Sequence, residues 1–381
     1  MSKKQITYEL VEDGPALVRL ADAIQKERAV AVDLEADSMF HYQEKVCLIQ
    51  ISTTSRNILI DPLFLDDLSP LAPVFSDPDI RKVFHGADYD IRSLYRDFAI
   101  EVNGLFDTQI AARFLGTMET SLAHILKDRL GVHLEKKYQK RDWSIRPLPT
   151  PMLDYAVQDT AWLLPLSRIL EEEIRNKGRL LWVEEECRRL SRVRPAPPDS
   201  DPLFLKFNGA RRLDPRGLAV LESILKLRDE EARRKDRPPF KVLGNEPIME
   251  IAELKPVTKK DLERIKRLSA GQLKSLGRDI LGKTKESLTL QEDELPSFPR
   301  SVKPRTTARV SRRIKALKSW KEQRAKEMGL DPALVCTNAQ IEALALAYPK
   351  SRKDLKEIDS IRSWQIQMFG KEICSLLKDL N

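Results

Sequence analysis

The sequence predicts an α/β domain with a mixed sheet flanked by helices, followed by two small all-α domains. Three observations predict it. Within residues 1–195, short β-rich runs give way to alternating strands and helices. Residues 194–202 hold four prolines in nine positions, which marks an extended linker. Beyond that linker the chain reads as helical only, in two copies related by a shift of 93 residues.

The elements follow in order. Residues 15–27 have apolar side chains at helical spacing, and residues 30–37 (Val-Ala-Val-Asp-Leu-Glu-Ala-Asp) form a strand. Residues 46–52 and 57–62 are short β-rich runs closed by turn residues, so three strands with short connections form an antiparallel meander. Residues 81–87 are a strand entering a turn, and Asp88 is expected to cap a helix over 89–98. A strand end at 105–108 precedes a helix over 109–115. A long helical region spans 152 to about 190, with a turn at Asn176-Lys177-Gly178. Past the linker come helices 213–234, 248–254, 259–268 and 270–281, then a second linker at 291–304. The ungapped shift aligns Pro239 with Pro332, Asn245 with Asn338, Pro256 with Pro349 and Gly277 with Gly370. The expected domains are 1–195, 205–290 and 305–381.

Composition narrows the class. With 41% hydrophobic and 33% charged residues, no span-length apolar run and no signal-peptide core at Met1–Gln5, a cytoplasmic soluble protein is expected. Cys47, Cys187, Cys336 and Cys374 are scattered, without the spacing of a zinc site or a disulfide framework. The net charge of +8 divides into −5 over residues 1–200 and +13 over the rest. An acidic front half suits a metal site and a basic back half suits a polyanion, although Lys/Arg-rich helices also serve solubility alone.

The candidate chemistry lies in carboxylates. Asp33 and Glu35, two apart on a strand, project from one face. Two such anions repel unless a cation lies between them, and hard oxygen ligands suit Mg²⁺ or Mn²⁺. A solvent-facing acidic strand end is the competing reading. Asp90 falls in the first turn of a helix, just after His85-Gly86-Ala87, where ligands gather in α/β sheets. Tyr155 and Asp159 are spaced i, i+4 on one helix face, and Asp159 interrupts an apolar stripe. Residues 277–284 fit the phosphate-loop expression GxxxxGK[ST], but the run before them is helical, so no nucleotide cofactor is expected. The helix is expected to continue through Gly277 and end near Gly282.

Asp33-Leu34-Glu35, His85 with Asp90, and Tyr155 with Asp159 resemble the three motifs of the DEDD 3′→5′ exonuclease superfamily, tyrosine subclass. Residues 142–148 and 162–166 resemble the ribonuclease D family, and the repeated segment resembles the HRDC domain. The resemblance implies an RNase H-like fold in which Asp33, Glu35, Asp90 and Asp159 hold two Mg²⁺ or Mn²⁺ ions and Tyr155 positions the attacking water. It implies release of nucleoside 5′-monophosphates from structured RNA such as tRNA precursors, by a protein that is a monomer and binds no membrane. A proofreading-type DNA 3′→5′ exonuclease and a non-catalytic HRDC-type adaptor are the alternatives. Leu34 stands where the family often has Thr, with its side chain expected to point away from the metals, and the second helical copy is the more divergent. Met39, Phe40 and His85 are candidate substrate contacts. The first two read equally as core residues, and His85 as a satisfied turn histidine. The basic run 136–141 either lines the approach or is a solvated loop.

Overall fold

A computed structural model describes residues 6–135, 137–197, 200–299 and 307–380. They divide into two compact units, one drawn from residues 1–36, 46–195 and 303–381, the other from 37–45 and 196–302.

The first unit is built on a six-stranded sheet. Its elements are β1 (Glu9–Val11), α1 (Gly14–Ile24), β2 (Ala29–Ala36), β3 (Val46–Ser52), β4 (Asn57–Ile60), α2 (Ala72–Ser76), β5 (Arg81–Phe84), α3 (Asp88–Phe98), β6 (Leu105–Asp107), α4 (Thr108–Leu115), α5 (Leu122–Leu130), α6 (Thr150–Ala161), α7 (Leu163–Asn176) and α8 (Leu180–Leu190). The strand order is β1-β4-β3-β2-β5-β6. β2, β3 and β4 form the expected antiparallel meander, while β5 and β6 add in parallel on the β2 side. The three-residue edge strand β1, parallel to β4, lacks an alternating pattern in the sequence.

Strand alternation sorts the two faces. Val30, Val32 and Leu34 of β2 join Ile49, Ile51, Ile58 and Ile60 in a core with α1 and α3. Leu34 therefore points away from the face that carries Asp33 and Glu35. On that other face Ala31 and Val83 belong to a core with α4, α5, α7 and α8, and Leu48 and Leu59 pack with α6. Three expectations are corrected here. Asp88 does not cap α3: Ala87 occupies the cap position, and Asp88 pairs with Arg92, 2.8 Å away, one turn on. Trp162 breaks the helical region between α6 and α7, in addition to the turn at Gly178. The expected helix over 259–268 forms only its first turn, Lys259–Leu262.

The second unit holds α9 (Pro215–Arg234), α10 (Pro239–Val242), α11 (Asn245–Leu254), α12 (Lys259–Leu262) and α13 (Ala270–Leu288). α13 runs through both Gly277 and Gly282 to Leu288, so no helix end falls near Gly282 and the phosphate-loop expression lies wholly in helix. The segment 37–45 packs on these helices: Tyr42 donates to Asp229 at 2.9 Å, and Asp236 lies 2.7 Å from His41.

The second helical copy, α14 (Ala308–Met328), α15 (Pro332–Val335), α16 (Asn338–Ala347), α17 (Arg352–Lys356) and α18 (Ser363–Lys378), reproduces the first at the 93-residue shift. Even the left-handed residues recur, Lys255 with Tyr348 and Asp236 with Gly329. Yet this copy belongs to the first unit. Trp364 stacks on Trp182 of α8 at 4.6 Å and 20°, and Phe114 of α4 meets both rings edge-on. Glu185 accepts from the Ser363 and Trp364 amides at 2.7 and 3.0 Å, capping α18 with a carboxylate from α8. At the position of Trp364 the first copy has Gly271, which offers no ring for such a stack. Trp364→Ala is expected to cost about 3–5 kcal/mol of unfolding free energy in urea and to expose residues 307–380 to proteolysis first. Gly271→Trp, exposed on the first copy, is expected to cost under about 1 kcal/mol.

Candidate active site

Asp33 and Glu35 lie on the β2 face that α6 and α7 cover, paired in register with Gln50 and Leu48 of β3. Ser52, on the same face of β3, lies 2.7 Å from the Thr160 hydroxyl and fixes α6 next to Asp159. Carboxylate oxygens of Asp33, Glu35 and Asp159 all fall within 4.8 Å of one another. Asp90 enters from α3, 7% exposed, close enough to Asp33 that the two charges raise each other's cost. Tyr155 stands one turn before Asp159 on α6, close enough for each to shift the other's proton equilibrium. Its ring is held by Tyr138 and Trp143, with centroids 5.8 and 6.3 Å away. Trp143 is itself placed by Arg146, which donates to its carbonyl and to Asp61 at 2.7 Å. The structure therefore brings all five predicted catalytic residues together.

The cleft is about 330 Å³ and is lined by Asp33, Glu35, His85, Gln139, Tyr155 and Asp159 among others, with no Lys or Arg among the described residues of its wall. Asp33, Glu35 and Asp159 keep a solvent-facing edge, while surrounding protein keeps bulk water from the rest. Burial pushes the Asp33 carboxyl up to about 7. Glu35 is held well above the usual range by burial, then by Asp33, Asp159 and Asp90. Burial, then Asp33, does the same to Asp90 and Asp159. The Tyr155 phenol is also raised, by burial and then by Asp159, Glu35 and Asp33, which favours its protonated, hydrogen-bond-donating form. Four crowded carboxyls, with no cationic side chain among the described residues that line the cleft, are a donor set that a hard divalent cation completes, and all their donors are oxygen.

His85 is a turn histidine. Its Nε2 lies 2.9 Å from the Thr120 carbonyl and must carry a proton, because a carbonyl only accepts. Nδ1 lies 2.9 Å from the Thr108 hydroxyl. With both nitrogens engaged, neither is offered to a metal, and burial lowers its pKa. Met39 and Phe40 fold in the other unit, where Lys241 Nζ lies 4.3 Å from the centre of the Phe40 ring. In the run 136–141, Lys136 lies outside the described residues, Tyr138 touches Tyr155, and Gln139 lines the cleft.

Asp107 is a functional residue that sequence reading missed. Fully buried, it accepts from the amides of Gly86, Ala87, Gln109 and Ile110 at 3.1, 2.8, 2.8 and 3.0 Å. One carboxylate thus caps α4 and holds the turn that launches α3 and Asp90. An Asp two residues before the predicted helix is the cap signal that could have found it, since the helix begins one residue earlier, at Thr108. Asp107→Ala would leave these amides unpaired, and a loss of at least about 3 kcal/mol in urea unfolding is expected, with a fall in kcat. Asp107→Asn, which keeps one acceptor, is expected to lose less.

Comparison with known proteins agrees with this architecture. The family model "3'-5' exonuclease" matches residues 8–175, and "HRDC domain" matches 217–283 and 311–377. Fold and site thus define a 3′→5′ exonuclease domain followed by paired HRDC domains. Ribonuclease D of Acidiphilium cryptum is 30% identical over 96% of this chain and 92% of its own length. The crystal structure of Escherichia coli RNase D, described as an exoribonuclease involved in structured RNA processing, has a TM-score of 0.73 at 26% identity, covering 98% of this chain and 99% of that one. The catalytic core of RRP6 from Trypanosoma brucei has a TM-score of 0.67 at 33% identity over 76% of this chain and 81% of its own. The chain belongs to the ribonuclease D family, and as such is a 3′→5′ exoribonuclease. Members of this nuclease superfamily use divalent metal, which the acidic cluster suits. Among the described residues no helix is long and apolar enough to cross a membrane.

Proposed function

We propose that the protein trims the 3′ ends of structured RNA, tRNA precursors in particular, releasing nucleoside 5′-monophosphates. The single observation that carries this reading is the meeting of Asp33, Glu35 and Asp159 with Tyr155 in one cleft, with buried Asp90 close to Asp33. These four carboxylates would hold two Mg²⁺ or Mn²⁺ ions, which when bound supply hydroxide near neutral pH and neutralise charge on the leaving 3′-oxygen. Tyr155, immobilised by its ring contacts, orients the attacking water through its hydroxyl. Neutral His85 fixes the turn beside the cleft. Met39, 47% exposed, and Phe40 are proposed as substrate contacts that stack on a base. The domains are proposed as 1–195, 205–290 and 305–381. The protein is taken to work as a monomer in the cytoplasm, a reducing compartment that suits free cysteines such as the buried Cys47, Cys187 and Cys336.

The test is a digest of a tRNA carrying a 3′ extension against DNA of the same sequence, with and without Mg²⁺. Stepwise shortening of the RNA alone, dependent on Mg²⁺, is expected. Equal shortening of the DNA would move the protein to the proofreading class, and no shortening of either would leave only a binding role.

A further inference from the structure

β3 reads Val-Cys-Leu-Ile-Gln-Ile-Ser and every one of its residues is buried. Gln50 is out of character there. It is 0% exposed, yet neither its amide nitrogen nor its amide oxygen has a hydrogen-bond partner among the described residues. A buried primary amide without partners costs roughly 1–3 kcal/mol for each unpaired group, whereas an apolar side chain of that length would cost nothing of the kind. Its place explains what it is for. Gln50 is the cross-strand partner of Asp33 in the β2–β3 register, and directly opposed residues project to the same face with Cβ atoms about 5 Å apart. Two residues along the same face, Ser52 reaches Thr160, so α6 closes over this row and brings Asp159 to the same spot.

We propose that Gln50 is a positioning residue for the metal site: in the metal-loaded protein its carboxamide supports the Asp33 carboxylate from behind, fixing which oxygen Asp33 presents to the cation. The support acts through Asp33; Gln50 does not line the cleft and touches no substrate. This rests on the metal-site reading above and adds a residue that the acidic motif does not contain. Carboxylate ligands are commonly oriented by such outer hydrogen bonds, and losing one typically costs 10–100-fold in metal affinity.

Gln50→Met, close in volume and flexibility, removes the amide without opening a cavity. Its Mn²⁺ affinity is to be measured by calorimetric titration, and its melting temperature in EDTA and in Mn²⁺. The expected result has two opposite signs. In EDTA the variant melts at or above the wild-type temperature, because an unpaired amide is gone. In Mn²⁺ it binds at least tenfold more weakly, and its metal-induced rise in melting temperature shrinks. Gln50→Leu should reproduce both effects. Wild-type Mn²⁺ affinity in the variants, or an equal loss of stability with and without metal, would overturn the proposal. If the wild type itself binds no Mn²⁺, the metal-site reading fails, which is a different outcome from a wild type that binds and a variant that binds equally well.

Discussion

Asp33→Asn and Asp159→Ala are each expected to lower RNA hydrolysis by at least about 1,000-fold, equivalent to roughly 4 kcal/mol of transition-state stabilisation. RNA affinity should change little, because phosphate binding draws on the basic surface and not on four anions. The physical reason is that the cluster works as one unit. Asp33 is the carboxylate that Glu35, Asp90 and Asp159 all feel, so it stands at the centre of the donor set and its loss removes the ligand the other three surround. A second consequence has the opposite sign: without metal, either variant should melt higher than the wild type, because one repelling buried carboxyl has gone. Single-turnover digestion with a gel-shift titration measures the first pair of quantities, and calorimetric melting in EDTA measures the third.

The metal-free protein should become less stable as pH rises from about 4 to about 7. The folded Asp33 pKa, about 7, lies above the unfolded value of roughly 3.9. Between those limits the native state binds more protons than the unfolded one, so unfolding free energy falls with pH. The contribution is fully present below pH ~4 and gone above pH ~7, and for Asp33 alone it amounts to roughly 4 kcal/mol. Glu35, Asp90 and Asp159, shifted in the same direction, extend the loss upward in pH. Saturating Mg²⁺ or Mn²⁺ should reverse the trend, since the cation takes the place of the protons and binds more tightly as they leave. Urea unfolding at pH 5, 6 and 7, with EDTA and with Mn²⁺, measures the slope directly. A metal-free protein whose stability is flat across that window would mean that the carboxyls are not crowded.

How much of this was legible beforehand depends on what each residue's role needs. Asp33 and Glu35 could be placed because a strand's period of two is a local rule, and Tyr155 with Asp159 because i, i+4 is another. The repeat was legible down to its turns, since a constant shift needs no structure to detect. Asp107 was not, because the amides it gathers at Gly86 and Ala87 come from another loop that only the folded sheet brings near. Gln50 was passed over for a related reason: its strand reads as uniformly buried, and the face it shares with Asp33 is set by the β2–β3 register. The docking of the second helical copy was missed, although the exchange of Gly271 for Trp364 at one repeat position was visible in the sequence. What hid it was the partner, for nothing local in α8 marks Trp182 and Glu185 as a receiving surface. The corrected cap at Asp88 shows the same limit. An acidic residue one position inside a helix found its salt bridge with Arg92 more readily than a free backbone amide.

The most direct test of the central claim is anomalous diffraction from crystals soaked in Mn²⁺. Cation peaks are predicted among Asp33, Glu35, Asp90 and Asp159, on the side reached by the Tyr155 hydroxyl. Full Mn²⁺ occupancy elsewhere on the molecule, with none between these four carboxylates, would contradict the account.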